Sequence, residues 1–333
     1  VKKGEFEVGE KIIYVEIDSI MPERPEFEFL RERKFRVRTI KLRKQISQGL
    51  VLKLGAVLSK YNVGDDVTDA LGVTKYDPEA AEEAKVLAKN LKVKEEKSWF
   101  FRNIVKPLFS FSFFREWYLK NYSPKVKVKV WPSWIIKTDE ERVQNCVRTF
   151  ENERDAKNTF YSTEKLDGCS ASYSWHNGEF TVCSRNVWLK TPDSSHYWEM
   201  ANLYSIKDAL EAIAKKYGWH TVVLQGEILG EGIQQNKYKI KGHIFRAFNL
   251  VYNDKPIDYM NMEDELKEHN IVCVPILEKA MYLPETIAEL VKKSTGPSAL
   301  LTTQTREGLV LRDIQRRVSF KVINPEFLLK EED

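Results

Sequence analysis

Glu164-Lys165-Leu166-Asp167-Gly168, running on through Cys169-Ser170-Ala171-Ser172-Tyr173-Ser174-Trp175-His176 to Asn177-Gly178, is the stretch from which the fold can be read. Cys169, Ala171, Tyr173 and Trp175 alternate with polar residues, the period-2 pattern of a half-buried strand. Asn177-Gly178 predicts a tight hairpin, because both residues tolerate positive φ. The return strand is expected over residues 180–184, leading into Arg185-Asn186. Residues two apart on a strand share a face, so Lys165 and Asp167 are expected to point the same way, while Gly168 lets backbone or ligand come close. By itself a Lys-x-Asp-Gly tetrapeptide also suits an exposed strand end with a solvated lysine and a turn-forming Asp-Gly.

Further along, three segments share one design, an apolar strand that delivers a charged residue. Val222-Val223-Leu224-Gln225-Gly226-Glu227-Ile228 presents Glu227, Glu307-Gly308-Leu309-Val310-Leu311-Arg312 starts on Glu307, and Val318-Ser319-Phe320-Lys321-Val322 turns Lys321 away from its packed face. Ile244-Phe245-Arg246-Ala247-Phe248-Asn249 is a fourth strand, carrying aromatic rings. Alone, each has an ordinary explanation: Glu227 and Glu307 as surface carboxylates, Lys321 as a snorkelling cation, Phe245 as a core ring. A helix is expected over residues 197–217, with an apolar stripe of Leu203, Ile206, Leu210, Ile213 and Tyr217 and Gly218 ending it.

The 333 residues, 42% hydrophobic and 12% aromatic, suffice for two domains with ordinary cores. No apolar run approaches the ~20 residues of a membrane span, and the first residues carry no signal-peptide core, so an intracellular protein with no membrane partner is expected, its compartment open. Cys146, Cys169, Cys183 and Cys273 are widely spaced, which points to reduced thiols rather than zinc or a disulfide framework.

The net charge of +4 is uneven. Residues 1–130 hold 27 Lys and Arg against 19 Asp and Glu, and residues 31–60 hold ten basic residues against the single acidic Glu32. Such a front domain attracts polyanions, although a solvated face has the same composition. Strands are expected over 11–19, 35–42 and 49–54, with Arg36 and Arg38 opposite Phe35 and Val37, and these short strands suggest an OB-type β-barrel. Residues 78–97 read as a charged helix. The aromatic run over 99–118 is favoured as a domain interface over a base-stacking surface. The junction is placed at 125/126, giving domains 1–125 and 126–333 and an α+β fold class overall.

Taken together, Lys165-Leu166-Asp167-Gly168, Ser184-Arg185-Asn186, Gly226-Glu227-Ile228, residues 245–249, Glu307 to Arg312 and Phe320-Lys321-Val322-Ile323-Asn324 resemble motifs I, Ia, III, IIIa, IV and V of the covalent nucleotidyltransferases, the polynucleotide ligases and mRNA capping enzymes. DNA ligases and capping enzymes carry an OB domain after motif V. Here Lys321 lies close to the last residue, so the barrel is expected ahead of the ligase domain. That order resembles the ATP-dependent RNA ligases with an N-terminal OB domain, the Deinococcus radiodurans and Naegleria gruberi type. One departure from the phage RNA ligase 2 branch is Ser170, where motif I of that branch continues to an Asn.

The resemblance implies a ligase domain of antiparallel sheets with flanking helices, ATP and Mg²⁺ (or Mn²⁺) as cofactors, and RNA as partner. It implies Lys165 as nucleophile, Asp167, Glu227 and Glu307 as the carboxylates that hold the metal's waters, and Lys321 as the cation that neutralises the α-phosphate. It also places Glu164 among the nucleotide contacts, Arg185 on ribose or phosphate, Phe245 against adenine, and, with less support, Arg148, Arg142, Gln144 and Asn145 on the triphosphate or between domains. The expected activity is joining of an RNA 3′-hydroxyl to a 5′-phosphate through lysyl-AMP, by a monomer with no obligate protein partner. The alternatives are a DNA ligase, a GTP-dependent guanylyltransferase, or a nucleic-acid-binding factor that has lost catalysis.

Overall fold

A computed structural model describes residues 4–42, 45–55, 60–76, 131–137, 139–189, 195–253, 255–315 and 317–331. The chain divides into two units, Val1–Val128 and Lys129–Asp333. The expected helix over 78–97, the aromatic run over 99–118 and the junction at 125/126 lie outside the described residues.

The first unit contains β1 (Ile12–Glu16), β2 (Ser19–Ile20), a 3₁₀ helix at Pro25–Arg33, β3 (Ile40–Leu42), β4 (Gln45–Ser47), β5 (Gly49–Lys53), α1 (Thr68–Leu71) and β6 (Thr74–Lys75). The strands pair antiparallel as β1-β5, β2-β6 and β3-β4. Ile13 and Val15 of β1 pack with Met21, Phe27, Leu30, Phe35, Val37 and Leu71. The strand expected over 35–42 forms only at β3. Phe35 takes a left-handed φ of 59°, which an extended run cannot contain. Its alternation survives, since Phe35 and Val37 are buried, but Arg36 does not project as an available cation. Its guanidinium pairs with Asp18 at 2.5 Å and sits 3.5 Å from the centre of the Tyr76 ring.

The second unit is built on two antiparallel sheets. Its elements are α2 (Val147–Asp155), β7 (Phe160–Lys165), β8 (Cys169–His176), β9 (Glu179–Ser184), α3 (His196–Leu203), α4 (Ile206–Tyr217), β10 (Thr221–Gly230), β11 (His243–Tyr252), β12 (Lys255–Pro256), α5 (Tyr259–Lys267), β13 (Ile276–Met281), α6 (Ile287–Ser294), β14 (Gly308–Asp313), β15 (Ser319–Ile323) and α7 (Pro325–Glu331). One sheet has the order β12-β11-β10-β8-β9, the other β13-β7-β14-β15. The Asn177-Gly178 hairpin forms as read, with φ of 49° and 89°, and pairs Ala171 with Ser184 through His176 with Glu179.

The alternating strand of β8 explains the main core. Ala171 and Tyr173 face α3, α4 and α5 together with Leu224, Phe245, Leu210 and Ile213, all fully buried. Each of the leucine, isoleucine and phenylalanine side chains contributes about 1.5–3 kcal/mol when taken out of water. The helix expected over 197–217 is two helices, because Ser205 adopts a left-handed φ of 47° between α3 and α4. Ile206, Leu210 and Ile213 form the buried stripe, but Leu203 and Tyr217 stay exposed, and Gly218 ends α4 in the left-handed conformation as expected.

The opposite face of the same sheet is covered by the segment entering the unit. Ile135, with Trp131 and Trp134 beside it, packs on Cys183, Val223 and Val251. The second sheet has its own core, where Phe160, Leu309, Leu311, Phe320 and Val322 meet Phe150 of α2 and Leu290 of α6. β7 and β8 are consecutive in sequence yet belong to different sheets, so Leu166-Asp167-Gly168 is the link that crosses from one to the other. That crossing is what positions the site.

Candidate active site

Lys165 is the last residue of β7, and its neighbour across the ladder is Gly308, the first residue of β14. A Cβ at Gly308 would collide with the Val322 carbonyl, so only glycine lets β14 lie between β7 and β15 here. Glu307, one residue earlier, is thereby set beside the lysine, and Lys165 Nζ donates to Glu307 Oε1 at 2.5 Å. On the other sheet Glu227 lies within β10 rather than at its end, opposite Ser170 on β8 and Arg246 on β11. Gly168, pressed against the Ile228 carbonyl and the Glu227 side chain, brings the crossing link down onto this point. Lys165, Asp167, Glu227 and Glu307 are thus gathered from three distant stretches.

Electrostatics shows how closely they interact. Burial works to lower the Lys165 pKa, but the carboxylates of Glu307, Glu227 and Asp167 outweigh it and hold the ammonium above its ordinary value. Burial, with Glu307 and Asp167 as like charges, pushes the Glu227 carboxyl up to about 8, against the pull of Lys165. The site is therefore proton-rich at neutral pH. Among the described residues no three acidic, imidazole or thiol side chains are close enough to cage a metal ion directly. Three carboxylates around an amine fit a hard cation that keeps its own waters.

The linkage has a testable sign. An ordinary carboxyl at 4.5 ionises in the unfolded chain long before Glu227 does in the folded one. The stabilising contribution is full below 4.5, declines as pH rises, and is lost through about 8. In chelator, Glu227→Gln is expected to gain melting temperature over the wild type as pH is raised from 5 to 9. Parallel pH–melting curves for the two proteins would contradict the shift.

Lys321 sits on β15 opposite Val310, on the face away from Phe320 and Val322. Its Nζ donates to Asp139 Oδ1 at 2.9 Å, and Arg185 lies 3.7 Å from the other oxygen of the same carboxylate. Burial raises the Asp139 pKa, but Lys321, Arg185 and Lys165 together bring it below the usual range. Three cations thus act on one carboxylate, in the arrangement a phosphate would also favour. Arg312 is buried and pairs with Glu140 at 2.5 Å. A cavity of about 260 Å³ lies here, lined by Asp139, Glu140 and Arg312 on one side and by Asn249 and Val251 on the other.

Glu164 is buried, and its Oε2 accepts from the Ala299 amide at 2.8 Å while Oε1 has no hydrogen-bond donor. Burial raises its pKa, although Ser298, the Ala299 amide and Arg306 oppose the rise.

One of the expected contacts is placed differently. Phe245 is 0% exposed, packed edge-on against Tyr173 at 5.4 Å between ring centres. The absence of a side chain at Gly226 is what admits the ring. The residue is a core ring here, with no face open to a base, because β11 turns it toward the helices. Arg148 is exposed on the first turn of α2, where its guanidinium is open to solvent. Arg142 bridges to Lys321 through the backbone, and Asn145 buries its Oδ1 without a donor.

The sequence reading missed Asp139 as a partner for the cations, and it missed Lys237 and Tyr238. Lys237 Nζ donates to Asp167 Oδ2 at 2.7 Å, and the Asp167 amide donates to Tyr238 Oη at 2.9 Å. The available signal was Gly230-Glu231-Gly232 just after the Glu227 strand, which marks a loop returning toward the same strand end.

The RNA ligase family model matches residues 158–323, and an OB-fold domain model matches residues 1–54. No curated protein sequence matches the chain. Among solved structures, an apo aspartate-to-alanine variant of a Naegleria gruberi RNA ligase is 30% identical, with 100% of this chain and 89% of that chain covered and a TM-score of 0.73. A lysine-to-alanine variant of the same enzyme with ATP and Mn is 28% identical, with 100% and 90% covered and a TM-score of 0.73. The enzyme with PPi is 30% identical over 100% and 90% of the two chains, again at a TM-score of 0.73.

Proposed function

This chain belongs to the RNA ligase family, and from that membership we propose that it seals RNA by joining a 3′-hydroxyl to a 5′-phosphate through a covalent lysyl-AMP. The observation that carries the reading is the Lys165 amine, set 2.5 Å from Glu307 and surrounded by the charges of Glu227 and Asp167. In the first step Lys165 Nζ, having lost a proton, attacks the α-phosphorus of ATP. A P–N bond forms, the bond to the bridging oxygen breaks, and pyrophosphate leaves. In the second step an oxygen of the RNA 5′-phosphate attacks that phosphorus and the lysine amine departs, leaving AMP on the RNA end. In the third the RNA 3′-hydroxyl attacks the 5′-phosphate and AMP is released.

A lysine held above its ordinary pKa is a poor nucleophile, and its three carboxylates cannot activate it. Asp167, Glu227 and Glu307 would hold a hydrated divalent cation, which would supply the positive charge that reverses this local sign. Support comes from the donor set itself and from the Naegleria enzyme, whose forms carry ATP and Mn. Lys321 and Arg185, clustered on Asp139, are suited to hold the phosphate once that carboxylate gives way. Lys321→Ala is expected to slow labelling of Lys165 about 10²-fold or more, the scale of losing one preorganised charge contact. Unchanged labelling would remove Lys321 from this role.

The N-terminal OB fold is assigned to contact with RNA around the break or with ATP, on the strength of its basic composition. Incubation with α-labelled ATP or GTP and Mg²⁺, followed by denaturing electrophoresis, tests the whole reading. Label from ATP alone, lost in Lys165→Ala, is expected. Label from GTP instead would point to a guanylyltransferase, and none from either, in protein stripped of bound AMP, to a binding factor.

A further inference from the structure

We propose that Lys237 is a positioning residue for Asp167, held in place by a loop whose backbone is shaped for that purpose; this rests on the role given to Asp167 above. Two consecutive residues grip one aspartate from both ends. The Lys237 ammonium holds Oδ2 at 2.7 Å, with the two side chains only 17% and 12% exposed, and the Tyr238 phenol accepts from the Asp167 amide at 2.9 Å. The ammonium also sits 4.1 Å from the centre of the Phe327 ring, so it is fixed by a cation–π contact as well as by its ion pair.

The loop that delivers this pair is unusual. Gln234, Gln235, Asn236 and Lys239 all take left-handed φ, at 43°, 60°, 47° and 54°. Side chains of L residues rarely adopt that region, and such a run persists only where its surroundings enforce it, most often beside a functional group. Asn236 stitches the turn, its Nδ2 donating to the Ile240 carbonyl at 2.8 Å and its Oδ1 accepting from the Ile240 amide at 3.0 Å. Ile233 and Tyr238 root the loop in the main core.

Asp167 has need of such a grip. It lies in the link between the two sheets, outside any strand ladder, and it acts as a like charge on Glu227. Lys165 on Glu307 is thus the nucleophile, and Lys237 on Asp167 is the clamp.

Lys237→Met keeps chain length and packing on Phe327 without charge, and Lys237→Arg keeps the charge. In the full chain with Mg²⁺ and α-labelled ATP, Lys237→Met is expected to slow single-turnover labelling of Lys165 about 10–100-fold, the usual scale for removing a residue that orients a metal-site carboxylate. The ATP concentration for half-maximal rate should stay near the wild-type value, and Lys237→Arg should keep most of the rate. Melting of the chelated protein gives a readout free of activity: Lys237→Met should lower the melting temperature in the wild-type background and leave it unchanged beside Asp167→Asn. Wild-type labelling by Lys237→Met, no rescue by Lys237→Arg, or equal melting shifts in both backgrounds would overturn the proposal. Asp167→Asn that labels at the wild-type rate would instead overturn the role of Asp167, and this inference with it.

Discussion

Lys165→Ala is expected to take no label from α-labelled ATP and to join no ends, a loss of more than about 10⁴-fold, the order seen when a covalent nucleophile is removed. The Lys165 amine is the reacting atom itself, so nothing else in the site can stand in for it. The other two lysines described in the site are committed elsewhere, Lys237 to Asp167 and Lys321 to Asp139. The Lys165 side chain reaches into the seam between the sheets and belongs to neither apolar core, so its loss removes no core packing. Lys165→Arg sharpens the test. Arginine keeps a cation beside Glu307 but cannot give up its proton at any working pH. A variant inactive as arginine and as alanine, with the arginine protein folded, identifies a nucleophile. Residual labelling of either variant at more than a trace would show that another group takes the AMP.

Glu227→Ala should produce the second-largest loss, at least about 10²-fold in labelling, since it removes one of three carboxylates proposed to hold the metal's waters. Its position within β10 between Ser170 and Arg246 is set by two ladders, so the neighbours have no freedom to fill in for it. Glu227→Gln should be nearly as inactive, because an amide keeps the shape and lacks the charge. The same substitution is expected to stabilise the chelated protein at high pH, where the wild-type carboxylate must ionise against burial, Glu307 and Asp167. Loss of activity with gain of stability is the mark of a group retained for chemistry at the expense of the fold. An active Glu227→Gln protein would remove Glu227 from the metal shell.

Much of this site is legible along the chain because each element carries its own local signal. The period-2 alternation of Cys169 to Trp175 and the Asn177-Gly178 turn require nothing beyond neighbouring residues to be read. The segments that failed are those where a single backbone angle decides. Ser205 and Phe35, both left-handed, split a helix and shortened a strand, and no composition rule marks a serine or a phenylalanine for that conformation. Arg36 was read as an outward cation from its alternation alone, which cannot foresee that Asp18 and Tyr76 come to meet it.

Phe245 shows the same limit at the site. An aromatic strand residue suits a base or a core equally well, and only the register of β11 against β10, with its bulge after Gln225, decided for the core. Lys237 and Asp139 lie 70 and 182 residues from the groups they hold, Asp167 and Lys321. Pairings at that separation leave no periodic trace.

By itself the sequence determined the antiparallel strands and the hairpin, because those depend on short-range pattern, while its resemblance to the ligase motifs singled out the residues expected as nucleophile, carboxylate shell and phosphate cation. Only the tertiary structure decided which of them meet. β7 and β8 enter different sheets, and that crossing puts Lys165 and Asp167 at a seam where Glu227 and Glu307 arrive from either side. The proton balance of the site follows from that meeting, since burial and like charge act only between groups the fold has already brought together.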